Sequence, residues 1–170
     1  QVKKPGDEVA IQRLVSRAFP SDAEARLIDN LRCSRRLVLS LVAVDGDAVD
    51  GDEIVGHVSF SPVSLNGREI GWGMAPVSTL PERQRQGIAS KLIEAGLDRA
   101  CRGGVGCAVV LGSPAFYSRF GFRPARQWNL RDEFHGGDAF QALEFIPGTI
   151  PPEGGTVQYA PEFNTDFKTA

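Results

Sequence analysis

The run Gln84-Arg85-Gln86-Gly87-Ile88-Ala89 has the residue types of an anion site. It stands between a strand-like and a helix-like segment, and the first N–H groups of a helix have no partner within it. Gly87 and Ala89 leave that backbone uncovered, so phosphate oxygens can approach it, and Arg83 and Arg85 add positive charge on the same loop. The spacing is neither G-x-G-x-x-G nor the G-K-[ST] ending of a P-loop, which argues against a dinucleotide fold and an NTPase. A glycine at a helix start also has a plain structural use, and the pattern alone leaves both uses open. Other reactive residues are few. His57 and His135 are the only histidines, and Cys33, Cys101 and Cys107 are the only cysteines. Their spacing is neither a disulfide framework nor a zinc pattern, so no metal and no catalytic thiol is expected. The thiols read as small hydrophobes of a reduced, cytoplasmic protein.

The elements that must position these residues follow from periodicity. Asp7 to Phe19 and a second run carrying Ala25, Leu27, Ile28 and Leu31 have helical spacing, separated by Pro20, with Ser21-Asp22 available as a cap. Leu37 to Val44 and Ile54 to Val63 read as strands joined by a polar turn from Asp45 to Asp52. Val55, His57, Ser59 and Ser61 fall on one face of the second strand. Asn66-Gly67 is a strong hairpin signal leading into a third strand, Glu69 to Thr79. That strand contains Gly71, Gly73 and Pro76, which makes it either a weak edge or a strand broken open so that its backbone pairs with something else. A helix follows Gly87, with Ile88, Leu92, Gly96 and Ala100 on one stripe. Cys107 to Leu111 reads as a buried strand, Ala115 to Phe120 as a short helix, and Phe140 to Ile146 as a last strand. Residues 147–170, rich in Pro, Gly and Thr, read as an irregular tail around a core of about residues 2–146. The order predicts an α/β (α+β) fold: one domain over residues 1–170 with a mixed, mostly antiparallel sheet and one βαβ crossover.

Composition sets bounds. The 170 residues suit one domain; 42% are hydrophobic and 24% charged, with net charge −2. Near-neutral charge argues against a nucleic-acid partner, and no apolar run approaches a membrane span. The opening Gln1-Val2-Lys3-Lys4-Pro5 lacks the apolar core of a secretory signal; it also lacks Met, which points to preceding residues in the natural protein.

Two segments together resemble the GNAT superfamily of acyl-CoA-dependent N-acyltransferases. Gln84-x-x-Gly87-x-Ala89, within Leu80 to Leu92, is similar to the family's Q/R-x-x-G-x-G/A pyrophosphate loop. Phe116-Tyr117-Ser118-Arg119-Phe120-Gly121-Phe122 resembles its Y-x-x-x-G-F segment. With Val110-Leu111-Gly112-Ser113-Pro114 before it, this version looks most like the YhbS-like bacterial branch. The match is specific from about Pro76 to Pro124. An Asn found after the second core strand in other branches is replaced by Gly112-Ser113-Pro114.

The resemblance implies a GNAT-type sheet with a splayed strand pair at the CoA site, and direct acetyl transfer from acetyl-CoA to an amine without a metal. Pantetheine would lie in the gap and pair with backbone groups of Val77, Ser78 and Thr79, with Gly71, Gly73 and Pro76 as the reason for the splay. The amides of Gln84, Arg85, Gln86, Gly87, Ile88 and Ala89, with Ser90, would hold the pyrophosphate. A backbone N–H near Ser78 would stabilise the oxyanion. Tyr117 takes the position of the acid that protonates the leaving thiolate; its phenol, with a reference pKa of about 10, stays protonated at neutral pH. A core aromatic is the bland alternative for Tyr117. Glu69 and His57 are the base candidates, against a surface carboxylate and a sheet histidine, and Trp72 is either a pocket wall or a core residue. The acceptor implied is a small-molecule or peptide amine, with a homodimer allowed but marked by no exposed apolar stripe. An acyl-CoA-responsive binding module, or transfer to a hydroxyl or protein side chain, remain the competing readings.

Overall fold

The computed structural model describes residues 1–46 and 53–166. Helix α1 (Glu8–Ala18) buries Ile11, Leu14 and Val15, and α2 (Ala23–Cys33) buries Ala25, Leu27, Ile28 and Leu31. Phe19 is extended, as the residue before a proline must be, and this separates the two helices. Ser21 Oγ accepts the Ala23 N–H at 3.3 Å, whereas Asp22 makes no side-chain cap bond. Burying one such Leu or Ile contributes about 1.5–3 kcal/mol, so these apolar faces seat both helices on the sheet.

Strands β1 (Leu39–Asp45), β2 (Glu53–Leu65) and β3 (Arg68–Thr79) form an antiparallel meander. Most of the polar turn expected over Asp45 to Asp52 lies outside the described residues. Asn66 and Gly67 both have positive φ, 52° and 75°, the backbone a tight hairpin twist demands. From β3 the chain crosses through α3 (Ile88–Arg102) to β4 (Cys107–Leu111), which lies parallel to β3. Next come the short α4 (Pro114–Tyr117), β5 (Arg123–Pro124), β6 (Leu130–Asp132) and β7 (Phe140–Glu144). The chain then forms β8 (Gly155–Gln158) and α5 (Phe163–Asp166). Among the described residues the strands make one eight-stranded sheet, in the order β5-β7-β4-β3-β2-β8-β6, with β1 beside the first part of β2. No helix among them is long and apolar enough to cross a membrane.

Two expectations are corrected here. The segment after residue 146 is not merely an irregular tail. β2 runs on past the end of β1, and β8 covers that edge through Ser64↔Gln158 and Leu65↔Val157. Val157, Tyr159, Ala160 and Phe163 are buried with it. A four-residue strand is too short to display a period, so only its non-local partner defines it. The cysteines also differ from one another: Cys107 is buried, but Cys33 and Cys101 are exposed.

Candidate active site

The central feature is a divergence of two strands. β3 and β4 pair only at Trp72↔Ala108 and Gly73↔Val109, although β4 continues to Leu111 against β7. Beyond Gly73 the β3 register against β2 shifts between Val58↔Val77 and Phe60↔Met74, so β3 holds one extra residue there. Such a bulge bends its strand, and Pro76 within it has no N–H for a ladder. The splay therefore begins at Met74. The strand glycines act just before it. A Cβ on Gly71 would lie 2.0 Å from the Cys107 carbonyl oxygen, so Gly71 permits the close approach that precedes the opening rather than the opening itself.

Past the bulge the exposed backbone groups can be assigned by parity. The Leu80 N–H bonds to the Val55 oxygen at 3.0 Å, so Leu80 faces β2. Backbone direction alternates along a strand. Ser78 therefore also directs its N–H and C=O at β2, opposite His57, and its hydroxyl reaches the His57 oxygen at 3.5 Å. Val77 and Thr79 present their N–H and C=O groups to the gap. The backbone N–H near Ser78 that faces the gap is thus that of Val77 and not of Ser78 itself. Ser78 likewise has no backbone group to offer a ligand in the gap.

At the end of β3 the chain turns through a 3₁₀ segment, Pro81–Arg83, into the Gln84–Gly87 loop. Arg85 (φ 62°) and Gly87 (φ 78°) both take left-handed backbone. A Cβ on Gly87 would meet nothing within 4 Å, so backbone conformation and not crowding calls for glycine there. The first helical bond of α3 runs from the Lys91 N–H to the Gly87 oxygen, which leaves the N–H groups of Ile88, Ala89 and Ser90 ahead of the helical ladder. They open on a cleft of about 490 Å³ whose wall includes Val77, Thr79, Gln84, Arg85, Gly87 and Arg119. Arg83 also reaches it, but its guanidinium is bound to Asp45 at 2.5 Å. Arg119 was not singled out from the sequence. It lies 4.5 Å over the Phe116 ring and donates to the Phe116 oxygen, which holds its cation in the cleft wall. Its only signal was a position two residues after Tyr117, inside the second motif.

A second cavity, of about 400 Å³, lies on the other side of Val77. Tyr117 reaches into it from α4. The ring packs edge-on to Phe116 (5.0 Å between centroids) and Phe122 (6.0 Å), and over Gly112, where a Cβ would come within 2.4 Å of it. Burial pushes the Tyr117 phenol above its ordinary pKa, so it is a proton donor at neutral pH. Phe116 faces the first cleft and Tyr117 the second, and Val77 is common to both walls.

The two base candidates are not part of this arrangement. Glu69 is exposed beside the Asn66-Gly67 hairpin, at the opposite end of β3 from Val77. At about 3.3 Å per residue it stands well outside the cavity. His57 is fully buried within the sheet, its Nε2 2.8 Å from the Ser40 hydroxyl and its Nδ1 without a partner. Burial, and then the charge of Arg32, pushes it down to about 3. It lines neither cavity wall. Trp72 packs on Phe60 (6.1 Å) and also stays outside the second cavity. The carboxylate that does face that cavity is Glu24, in the first turn of α2. Nothing in its local sequence distinguishes it; only the packing of α2 against segments distant in the chain brings it there.

Comparison with known proteins agrees with this geometry. Residues 39–124 match the family model for the acetyltransferase (GNAT) domain. The N-acetyltransferase YhbS of Escherichia coli K12, itself described as uncharacterized, is 39% identical over 166 residues, 96% of this chain and 97% of that one. A crystal structure of E. coli YhbS in complex with CoA superposes with a TM-score of 0.88 at 38% identity, covering 96% of this chain and 90% of the other. A GNAT family acetyltransferase from Brucella melitensis in complex with acetyl-CoA gives 0.78 at 35% identity, covering 96% of each. With a family match across half its length and a 39% identical relative over nearly all of it, the chain belongs to the GNAT acetyltransferase family.

Proposed function

We propose that the chain moves an acetyl group from acetyl-CoA to a primary amine by direct attack in a ternary complex. The observation that carries this is the shared wall: the cleft at the Gln84–Ser90 loop and the cavity below Tyr117 meet at Val77. A cofactor threaded along the β3 gap would bring its thioester to the boundary between the two. The N–H groups of the loop and of the first turn of α3 bind the pyrophosphate, with Arg85 and Arg119 beside it. Val77 and Thr79 pair with pantetheine. The amine lone pair attacks the thioester carbonyl and forms the C–N bond, the Val77 N–H stabilises the resulting oxyanion, the nitrogen loses its extra proton to solvent in the open cavity, and collapse of the intermediate then breaks the C–S bond. Tyr117 donates a proton to the departing thiolate. The structures of YhbS with CoA and of the Brucella protein with acetyl-CoA support the choice of donor.

The test is thermal unfolding with acetyl-CoA, CoA or ATP, followed by thiol release over an amine panel. At 100 times its Kd a ligand stabilises the fold by about 2.7 kcal/mol, and for this chain length that is a rise in Tm of about 5–10 °C. A rise with acetyl-CoA and CoA but not ATP is expected; none at saturation would overturn the cofactor assignment. A cofactor-dependent rise with no amine accepted would instead favour a binding module. Gly87→Val is expected to destabilise the free protein by about 1–3 kcal/mol, because a branched residue is forced into left-handed backbone. Relaxing that strain turns the loop amides away from the cleft. Titration calorimetry should then find acetyl-CoA bound at least about tenfold more weakly, a loss of 1.4 kcal/mol or more.

A further inference from the structure

The cavity under Tyr117 has an uneven chemistry. Its wall is aromatic and aliphatic, with Phe19, Leu27, Leu111, Phe134 and Phe163 prominent. Among the described residues, Glu24 is the one charged residue in it. The Glu24 Oε2 atom is buried without a hydrogen-bond partner, and so is the hydroxyl oxygen of Tyr159, in the same wall. Buried polar atoms are usually satisfied, so two unpaired oxygens on residues of one wall leave that side of the cavity short of hydrogen-bond donors. The charge of Glu24 is favoured in place by the N-terminal end of the α2 dipole.

The surroundings add a sign. Behind Tyr159 stand Asp132, buried and accepting the N–H groups of Phe134 and Gly136, and Glu133, accepting the Tyr159 N–H. Burial, and then the charges of these two carboxylates, raise the Tyr159 phenol above its ordinary range. The cavity is therefore negative at one spot, apolar elsewhere and backed by further carboxylates. An ammonium ion is costly to bury unless paired, and here it has a partner. A carboxylate on the same ligand would meet like charge, hydrocarbon and the tyrosine hydroxyls, with no cation among the described lining residues to pair it. A polyhydroxylated ligand would lose its hydration to a wall with few polar atoms.

We infer that the acceptor is a primary amine on an apolar body, an arylalkyl- or branched alkylamine without a carboxylate, whose nitrogen pairs with Glu24 as the ammonium on binding and gives a proton to that carboxylate before its lone pair attacks. This rests on the acetyl-transfer reading above and specifies its second substrate.

The experiment is a panel of acceptors with acetyl-CoA held saturating and thiol release as readout. Phenethylamine and 3-methylbutylamine are set against phenylalanine, glucosamine and spermidine. Phenethylamine is expected to exceed phenylalanine and glucosamine in kcat/KM by about 100-fold, the order of one well-placed charged hydrogen bond gained or lost. Equal or faster transfer to the amino acid, the amino sugar or the polyamine would overturn the inference. Glu24→Gln keeps the side-chain shape and is expected to raise KM for phenethylamine about 10- to 100-fold, with Tm and acetyl-CoA affinity unchanged. Glu24→Asp should recover part of the loss. An unchanged KM, or a fall in kcat alone, would overturn the anchoring role. Calorimetric binding of phenethylamine to the CoA-bound protein gives the same comparison without turnover. If the transfer reading itself fails, acetyl-CoA produces no rise in Tm or no amine releases thiol; if only this inference fails, both occur with the wrong amines.

Discussion

Tyr117→Phe is expected to lower kcat about 100-fold or more, the usual size of a lost general acid, while acetyl-CoA affinity stays within about twofold of its original value. The substitution removes one oxygen and keeps the ring. The edge-on contacts with Phe116 and Phe122 and the stacking over Gly112 involve ring carbons, so the fold should be nearly unchanged. The hydroxyl lies on the cavity side of the boundary at Val77, away from the Gln84–Ser90 amides, so cofactor binding should not depend on it. Its loss falls on the step in which sulfur acquires charge, which is why kcat and not KM carries the effect. Because burial raises the phenol above its ordinary pKa of about 10, wild-type kcat should show no alkaline decline from this group below about pH 10. Steady-state kinetics with a chromogenic thiol reagent measures both. A Tyr117→Phe enzyme with wild-type kcat would remove the acid role and leave Tyr117 as a packing residue.

His57 is expected to make the protein acid-labile well above the range in which carboxylates titrate. Its folded pKa is pushed down to about 3, against an unfolded value of 6.5. Between these values the unfolded chain binds a proton that the folded chain refuses. Stability is therefore full above 6.5 and falls as the pH drops toward 3. The slope is about 1.4 kcal/mol per pH unit, so about 2 kcal/mol should be lost between pH 6.5 and pH 5. The cause is structural: the ring is 0% exposed, the charge of Arg32 disfavours its charged form, and no acid among the described residues is hydrogen-bonded to it. Urea unfolding at closely spaced pH values measures the slope. His57→Gln should start from a lower stability because the Ser40 contact is disturbed, but its curve should be nearly flat over the same interval. A wild-type curve equally flat there would show that the histidine is solvated or compensated in the fold.

Glu69 and Glu24 show where local reading succeeds and where it stops. Glu69 stands at the start of the third strand, the same strand that ends in Val77, Ser78 and Thr79. Strands are long objects, and its end of β3 is the wrong one. Glu24 has the sequence surroundings of any first-turn helix carboxylate, and its place in the cavity depends on Phe19, Leu111 and Phe163 arriving from three other parts of the chain. Ser78 illustrates a finer limit. Whether a residue offers its N–H to the gap or to β2 depends on strand parity, and only the Leu80–Val55 bond settles it.

The sequence by itself determined what is short-range: the left-handed turn at Gly87 with the free first turn of α3, the Asn66-Gly67 hairpin, the buried β4 and the Tyr117–Gly121 turn. Each rests on backbone and steric demands satisfied within a few residues, and the similarity to GNAT proteins rides on two of them. Only the tertiary structure decided the insertion of β8, the one-residue choice of Val77 over Ser78, the exclusion of Glu69 and His57, and the entry of Glu24. These depend on register and on packing between segments far apart in the chain, and the one-residue bulge at Met74–Val77 sets which of Val77 and Ser78 faces the gap.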